Sequence, residues 1–535
     1  MSHVNLPALL EHAWTLVESN QLVEARSLFK QFCTLDESDP EAWTMLGSLH
    51  AEFSEETEAI SCLGKALELD PAYPDAHCNL AKILVKQNQI KEAQSHCQIA
   101  VDCDPTYADA WQLLGVIQEK FGNYVESETH SRRAIKLAPD NAIVHANLAL
   151  ALWKQGKLQE SAQSYQRSLA LNAQQIDIWS QLAAVYTHLS LFAEAEHCYR
   201  KLIGKAPEEI EAYERLGDIL IRLSRRDEAI DIFREALRIQ PDNTGAHLRL
   251  GWELYALKQC DAATISFKEV TRLAPENAEA YYGLGLVYGV MERKKEEIEH
   301  FQHALRLDPD NEQFQFHVLR LTGGTTPSTA PTDYVRNLFD AYAESFDTHL
   351  VGQLSYKAPE LIHDAVIEVT GVTDKKMDIM DLGCGTGLCA PLFRPLAHTL
   401  SGVDLSERMV DTARKRNLYD RLIVGDISVA LEGLNEVHDL ITAADVFIYV
   451  GELTRVFELC TTALKRSGLF VFTVEAAKDE MADFVLESSG RFSHSKRYLH
   501  SLARLVGFEV LLIRDAVLRT DRGTPINGYV VVMRL

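Results

Sequence analysis

Prolines at 71, 105, 139, 207, 241, 275 and 309 recur every 34 residues, with a double interval between Pro139 and Pro207 where Ala173 stands at the skipped position. A fixed period of this length rules out a single compact core for that part of the chain. It dictates stacked supersecondary units, each burying its apolar face only against its neighbours.

Other positions keep the same period. Three residues past each proline a unit begins. Its fourth residue is aromatic or His (Trp43, His77, Trp111, His145, Trp179, Tyr213, His247, Tyr281), and its seventh and eighth are Leu-Gly or Leu-Ala, as at Leu46-Gly47, Leu80-Ala81 and Leu216-Gly217. The small residue belongs where two helices approach closely. The twentieth and twenty-seventh are often Ala (Ala59, Ala66, Ala229, Ala236) and the twenty-fourth often aromatic (Tyr165, Phe233, Phe301).

This pattern resembles the tetratricopeptide repeat, with nine units from roughly 6 to 311 and a degenerate first unit carrying Leu9, His12 and Ala13 in place of the aromatic-Leu-Gly set. Asn311 to Leu321, with Phe314, Phe316, Val318 and Leu319, reads as a closing helix. Most of the repeat residues are packing positions. The resemblance implies that binding uses variable inner-face side chains of each first helix, here Asn79, Lys82, Asn147 and Arg249, and the array reads as a curved surface for a protein or peptide.

The whole chain has 535 residues, 53 Lys plus Arg against 77 Asp plus Glu, and a net charge of -24, which repels phosphate backbones and disfavours nucleic acid as a partner. Residues 1 to 320 hold 31 basic and 48 acidic side chains, net -17, so the partner expected of the array is basic. The ten cysteines form no C-x-x-C pair or zinc spacing, so no structural metal is expected and a reducing, cytoplasmic setting fits best. No signal peptide or membrane span is read from the first residues or from any long apolar window.

From Thr322 to Thr332 the sequence is rich in Gly, Pro and Thr and lacks any apolar period, the mark of a linker. The expected layout is a repeat array over 1–321, a linker over 322–332 and a second domain over 333–535. In the second domain short β-branched runs alternate with helices: Met377 to Leu382, Thr399 to Val403, Leu422 to Val424, Asp439 to Ala443, Leu469 to Val474, Phe508 to Ile513 and Gly528 to Met533. Such alternation predicts a mostly parallel, doubly wound α/β sheet of Rossmann-like type.

The first run leads into Asp381-Leu382-Gly383-Cys384-Gly385-Thr386-Gly387. A dinucleotide fold wants G-x-G-x-x-G, but here the third glycine comes one residue early and Leu388 follows. An acid at the strand end, Asp381, repels a pyrophosphate and attracts an ammonium group, which favours a cationic nucleoside without phosphates.

The string is similar to motif I of class I methyltransferases, and the chain as a whole resembles bacterial methyltransferases fused to tetratricopeptide repeats. That resemblance implies S-adenosylmethionine as cofactor. It implies that the Gly383, Cys384, Gly385 and Gly387 backbone lies along the cofactor, and that Asp404, followed by Leu405 at the end of the second strand, accepts both ribose hydroxyls. Asp426 would accept from the adenine amino group with Ile427 packed on the ring, and Asp445 would stand near the transferred methyl. A lid helix is expected over Tyr334 to Leu350, with Tyr342, Phe346 and Tyr356 over the ligand, while Phe339, Tyr342 and Phe346 also suit packing onto the sheet.

A base for a hydroxyl or carboxylate nucleophile is expected at His494, with Arg491, Lys496 and Arg497 nearby either holding an anionic substrate or solvating a loop. The expected function is thus a methyltransferase whose array recruits a protein- or carrier-borne acceptor. The competing readings are a small-molecule methyltransferase that uses its repeats for assembly, and a scaffold that binds the cofactor without turnover.

Overall fold

The computed structural model describes residues 5–343, 346–347, 354–371, 376–521 and 523–535. They belong to two compact units, Met1–Glu253 and Leu254–Leu535.

The first unit is a succession of antiparallel helix pairs, from Leu6–Glu18 with Leu22–Leu35 through Pro40–Glu52 with Glu56–Leu69 to Ile210–Arg222 with Arg226–Ile239. In these pairs the first helix has 13 residues and the second 14. Two positions of the period are two sides of one contact: a Cβ added at Gly217 would lie 2.3 Å from the Phe233 ring, and one at Gly47 would lie 2.8 Å from Leu63 Cγ. The eighth residue is small because the twenty-fourth is large. Ala59, Ala66, Ala229 and Ala236 are fully buried between the same helices.

The fourth-position rings reach back to the preceding turn. Trp111 Nε1 donates to Pro105 O at 3.0 Å, Trp179 Nε1 to Ala173 O at 3.2 Å, and His145 Nε2 to Pro139 O at 2.9 Å. This satisfies a carbonyl that the proline turn leaves without a backbone partner, and it explains why Trp and His share the position. Each pair is joined by a turn with one residue in the left-handed region: Asn20, Ser54, Asn88, Gly122, Gly156, Ser190, Ser224, Lys258 and Glu292, again 34 apart. Of the inner-face candidates, Asn79 donates to Ser48 Oγ at 2.8 Å and Arg249 pairs with Asp218 and Glu214. Lys82 lies 3.5 Å from Asp109, and the Asn147 amide nitrogen is buried with no partner among the described residues.

The second unit carries the helices Cys260–Leu273, Ala278–Val290, Lys294–Leu307 and Glu312–Thr322, and then a nine-stranded sheet. The strands are β1 (Met377–Leu382), β2 (Ala397–Asp404), β3 (Arg421–Val424), β4 (His438–Ala443), β5 (Leu464–Ala476), β6 (Phe484–Leu486), β7 (Phe492–His494), β8 (Glu509–Asp521) and β9 (Thr524–Arg534). The parallel order is β3-β2-β1-β4-β5, β9 runs antiparallel on β5, and β8 runs antiparallel on β9. Near the end of β5, β7 and then β6 extend the sheet. Seven of these strands match expected runs; β6 and β7 were not expected, being only three residues each. Apolar clusters cover both faces, one around Phe447, Phe457, Phe470 and Phe472, the other around Ile362, Val366, Phe393 and Val530.

The boundary between the two compact units falls inside the helix Thr244–Ala256. The segment expected as a linker is tied to the sheet domain. Ser328 O accepts from Gly451 N and Glu452 N at 2.8 Å each, Ala330 N donates to Tyr449 O at 2.9 Å, and Thr329 bridges Val450. Phe316 of the closing helix stacks near Tyr334, ring centroids 5.0 Å apart, and Arg320 donates to Ser488 O at 2.9 Å. A Gly- and Pro-rich composition marked irregular backbone correctly but left its anchoring unread.

Gly217→Ala is expected to destabilise the repeats by about 1–3 kcal/mol through overpacking against Phe233. Gly204→Ala, in a helix where an added Cβ meets nothing within 4 Å, is expected to be neutral or stabilising by up to about 1 kcal/mol. Urea denaturation of both variants checks this, and equal effects would contradict the close-packing account.

Candidate active site

β1 lies between β2 and β4, so the connections from its two neighbours leave in opposite directions and open a crevice at the carboxyl ends of the strands. The chain leaves β1 through Gly383, Gly385 and Gly387, with φ of +60°, +54° and +85°. Gly383 also packs against the turn after β4, where an added Cβ would lie 2.6 Å from Val446 Cγ2, whereas at Gly385 it would meet only Phe346 at 3.8 Å. The loop is therefore pinned on one side and open on the other.

Asp404, at the end of β2, fixes this loop from the side. Its Oδ2 accepts from Gly385 N and its Oδ1 from Ser406 N, each at 2.9 Å. Burial raises its pKa in spite of these two bonds. Asp426 follows β3 and caps the short helix Ile427–Leu431, its Oδ1 accepting from Ser428 N at 2.7 Å. Asp445 follows β4 with φ +61°, held there by its N–H donating to Thr473 Oγ1 at 2.8 Å.

These strand ends line one cavity of about 710 Å³, a volume typical of cofactor and substrate sites. Gly383, Cys384, Gly385, Asp404, Leu405, Asp426, Ile427 and Asp445 all contribute to its wall, as do Tyr342 and Tyr356. Phe339 and Phe346 line it too, and their rings pack edge to face at 6.0 Å, so the aromatic residues of the lid both pack together and cover the cavity. The lid helix is observed over Thr332–Tyr342; residues 344, 345 and 348–350 of the expected span lie outside the described residues. Ser406 donates to Asp340 of this helix at 2.6 Å, and Asp347 pairs with Arg416.

Three expected site residues sit elsewhere. Asp381 does not line the cavity: its carboxylate turns under the loop, accepting from Tyr419 Oη at 2.6 Å and Thr442 Oγ1 at 3.0 Å, 2% exposed. Burial pushes its pKa up from 3.8 to about 6 despite those bonds. Gly387 packs against Tyr419 and Arg416 behind the wall. His494, expected as a base, ends β7, fully buried, with Nε2 donating to Gly451 O at 3.0 Å and its ring stacked near Tyr498. Burial lowers its pKa to about 4. Its place is in the packing of the strand, away from the cavity lining, because Phe484–Leu486 and Phe492–His494 pair as strands.

Sequence reasoning missed Arg519. This guanidinium, 2% exposed, reaches the cavity wall from β8 and pairs with both Asp445 and Glu475. Burial opposes its charge, yet the two carboxylates hold its pKa above the ordinary value. Strand alternation puts 519 on the same side as the exposed Val517, but the β8–β9 register shifts between Val517 and Arg519 and turns the arginine inward. Of the three basic residues expected near a substrate, Lys496 pairs with Asp515 and Arg497 with Asp483, and Arg491 lines the cavity.

Comparison with known proteins agrees with this architecture. A family model described as a methyltransferase domain matches residues 380–472, and tetratricopeptide repeat models match 10–77, 54–117 and 122–176. A model of the cilia and flagella-associated protein 70 middle TPR-like domain matches 179–308. The chain thus carries tetratricopeptide repeats in its N-terminal part fused to a methyltransferase domain at its C-terminus.

Among curated relatives, the demethylmenaquinone methyltransferase of Thermotoga maritima is 33% identical over 141 residues, 26% of this chain and 60% of that protein. The ubiquinone biosynthesis O-methyltransferase of Coxiella burnetii is 26% identical over 106 residues, 19% of this chain and 45% of that protein. The chain therefore spans about half the length of the curated relatives it matches. Among solved structures, the repeat protein YrrB, described as having an unusual peptide-binding site, is 24% identical with a TM-score of 0.31, covering 34% of this chain and 93% of that one. A repeat protein of Cytophaga hutchinsonii gives 16% and 0.41, covering 44% and 98%.

The Asp381 pKa generates a stability prediction. A carboxyl whose folded pKa is raised binds more protons folded than unfolded, so its stabilising contribution is complete below 3.8 and is lost as pH rises through about 6. The difference in stability between Asp381→Asn and the natural chain is expected to move in favour of the Asn variant between pH 4 and pH 7. Chemical denaturation at the two pH values tests this, and a difference that stays constant would contradict the buried, protonated carboxyl.

Proposed function

We propose that the protein is a class I S-adenosylmethionine-dependent methyltransferase whose repeat array recruits a protein- or carrier-borne acceptor. The observation that carries the reading is the convergence of Gly385, Asp404, Asp426 and Asp445, each from a different strand end, on one cavity that the lid aromatics cover. The donor set suits the cofactor: a glycine loop open at Gly385 accepts close approach of a ligand, and Asp404, already oriented by two backbone N–H groups, presents a buried carboxylate to a ribose diol. Asp426, beside Ile427, suits an adenine amino group.

When bound, S-adenosylmethionine supplies a methyl group activated by a sulfonium. The chain's own residues then have to align the acceptor and exclude water. Phe339, Tyr342 and Phe346 provide the apolar cover. Asp445, oriented by Arg519, lies on the acceptor side, and one of its carboxylate oxygens is buried with no hydrogen-bond partner among the described residues.

A second reading has support of its own. The names of the curated relatives point to methylation of quinone precursors, and the cavity's aromatic lining suits a free small molecule, with the repeats serving assembly. The ten cysteines are all unbridged, which favours a reducing compartment such as the cytoplasm. No helix among the described residues is long and apolar enough to cross a membrane.

Calorimetry of the full chain with S-adenosylhomocysteine is expected to show one-site binding. Asp404→Ala should weaken it by about 1.5–3 kcal/mol, roughly tenfold to over a hundredfold. No heat and no thermal shift would remove the enzyme reading. Deleting the array's first unit should leave this affinity unchanged while slowing transfer to a recruited acceptor; a small-molecule acceptor would be methylated at an unchanged rate.

A further inference from the structure

The left-handed turn inside each repeat is a built-in control. That backbone conformation favours Gly or Asn and tolerates short polar residues, and the first seven turns carry only Asn, Ser or Gly. The eighth and ninth carry the long charged side chains Lys258 and Glu292, at φ +59° and +58°. Of the two, Lys258 is the cation, and its place beside the cavity, rather than its turn conformation, asks for a function.

Its location supplies one. Lys258 belongs to the same compact unit as the sheet domain, and it lines the active-site cavity together with Thr329, Thr332 and Arg491. The charge pattern there differs from the rest of the protein. Lys496 and Arg497, next to Arg491 in sequence, are each committed to a carboxylate at 2.7 and 2.8 Å. Arg491 has one long ion pair, 3.7 Å, with Asp521, besides a hydrogen bond with Tyr449 and the nearby Glu475 charge, while Lys258 has no ion pair among the described residues. In a chain of net charge -24, carboxylates are abundant enough to neutralise most cations, so two cations that line one cavity without a close ion pair are conspicuous.

We propose that Lys258 and Arg491 form a subsite for an anionic group, carboxylate or phosphate, carried by the acceptor, which makes the eighth repeat a specificity element of the methyltransferase cavity. This rests on the methyltransferase reading above and narrows its substrate class. Arg491 presents a planar fork and Lys258 a mobile point charge, a pairing that suits a tetrahedral or planar anion. Binding energy gained there, away from the reacting atoms, places the acceptor against the methyl group.

The test uses the full chain saturated with S-adenosylhomocysteine and two probes, inorganic phosphate followed by ³¹P NMR and glutarate followed by saturation-transfer NMR. At least one is expected to bind saturably, and the tighter of the two identifies the anion. Lys258→Ser uses the residue found at Ser54, Ser190 and Ser224, and Lys258→Glu uses that of Glu292, so the fold accepts both at this turn. Lys258→Ser should weaken the anion by about threefold or more and Lys258→Glu by about tenfold or more, while Lys258→Arg retains it. S-adenosylhomocysteine affinity and melting midpoint should stay unchanged throughout. Absence of saturable anion binding, or equal binding by the Glu variant, would overturn the subsite. Failure of S-adenosylhomocysteine to bind would instead overturn the methyltransferase reading, and the dependence of anion binding on Lys258 is still measured without the nucleoside.

Discussion

The site depends on one hydrogen-bonded junction, the contact of Asp404 with the backbone of the glycine loop. β1 and β2 run side by side in parallel, so their carboxyl ends emerge together, and Asp404 Oδ2 reaches across to Gly385 N. That bond fixes a loop whose φ values no ordinary side chain adopts easily, and the contact of Gly383 with Val446 pins the same loop to the turn after β4. The other strand-end acids inherit their positions from this junction, because β1 sets the register of both its neighbours. The Asp445–Arg519–Glu475 cluster performs the same service across β4, β5 and β8, and truncating its arginine would leave two acids buried and unpaired.

The repeat array obeys a different constraint, local and periodic. A small residue at the eighth position, a large ring at the twenty-fourth and a ring nitrogen on the preceding turn carbonyl are satisfied within one or two units, so the fold propagates by nearest neighbours. The two regimes meet in the second unit, where the last repeats share a compact body with the sheet. Phe316, Ala330, Val335, Ile448, Tyr449 and Phe492 form one apolar cluster there, drawn from the closing helix, the 322–332 segment and the cavity wall.

What was legible in the sequence follows from range. The 34-residue period and the glycine loop are local, and both were read with the correct boundaries; β1 was expected at Met377–Leu382 and is observed there. Asp404, Asp426 and Asp445 were legible because each directly follows an apolar run. Arg519 was not, because a bulge reverses strand parity, a feature that depends on pairing with β9. The direction of the Asp381 carboxyl was not legible, because sequence gives the strand end but not where the side chain turns, and Tyr419 and Thr442 draw it beneath the loop. The burial of His494 was not legible for lack of any sign that residues around it pair as strands, and the anchoring of 322–332 depends on backbone groups that composition does not reveal.

The most direct measurement of the central claim is a crystal structure of the full chain with S-adenosylhomocysteine. The account predicts the ribose hydroxyls within hydrogen-bond distance of the Asp404 carboxylate, the adenine beside Asp426 and Ile427, and the sulfur facing Asp445. A nucleoside bound outside this cavity, or bound within it with Asp404 still turned only toward Gly385 and Ser406, would contradict the account.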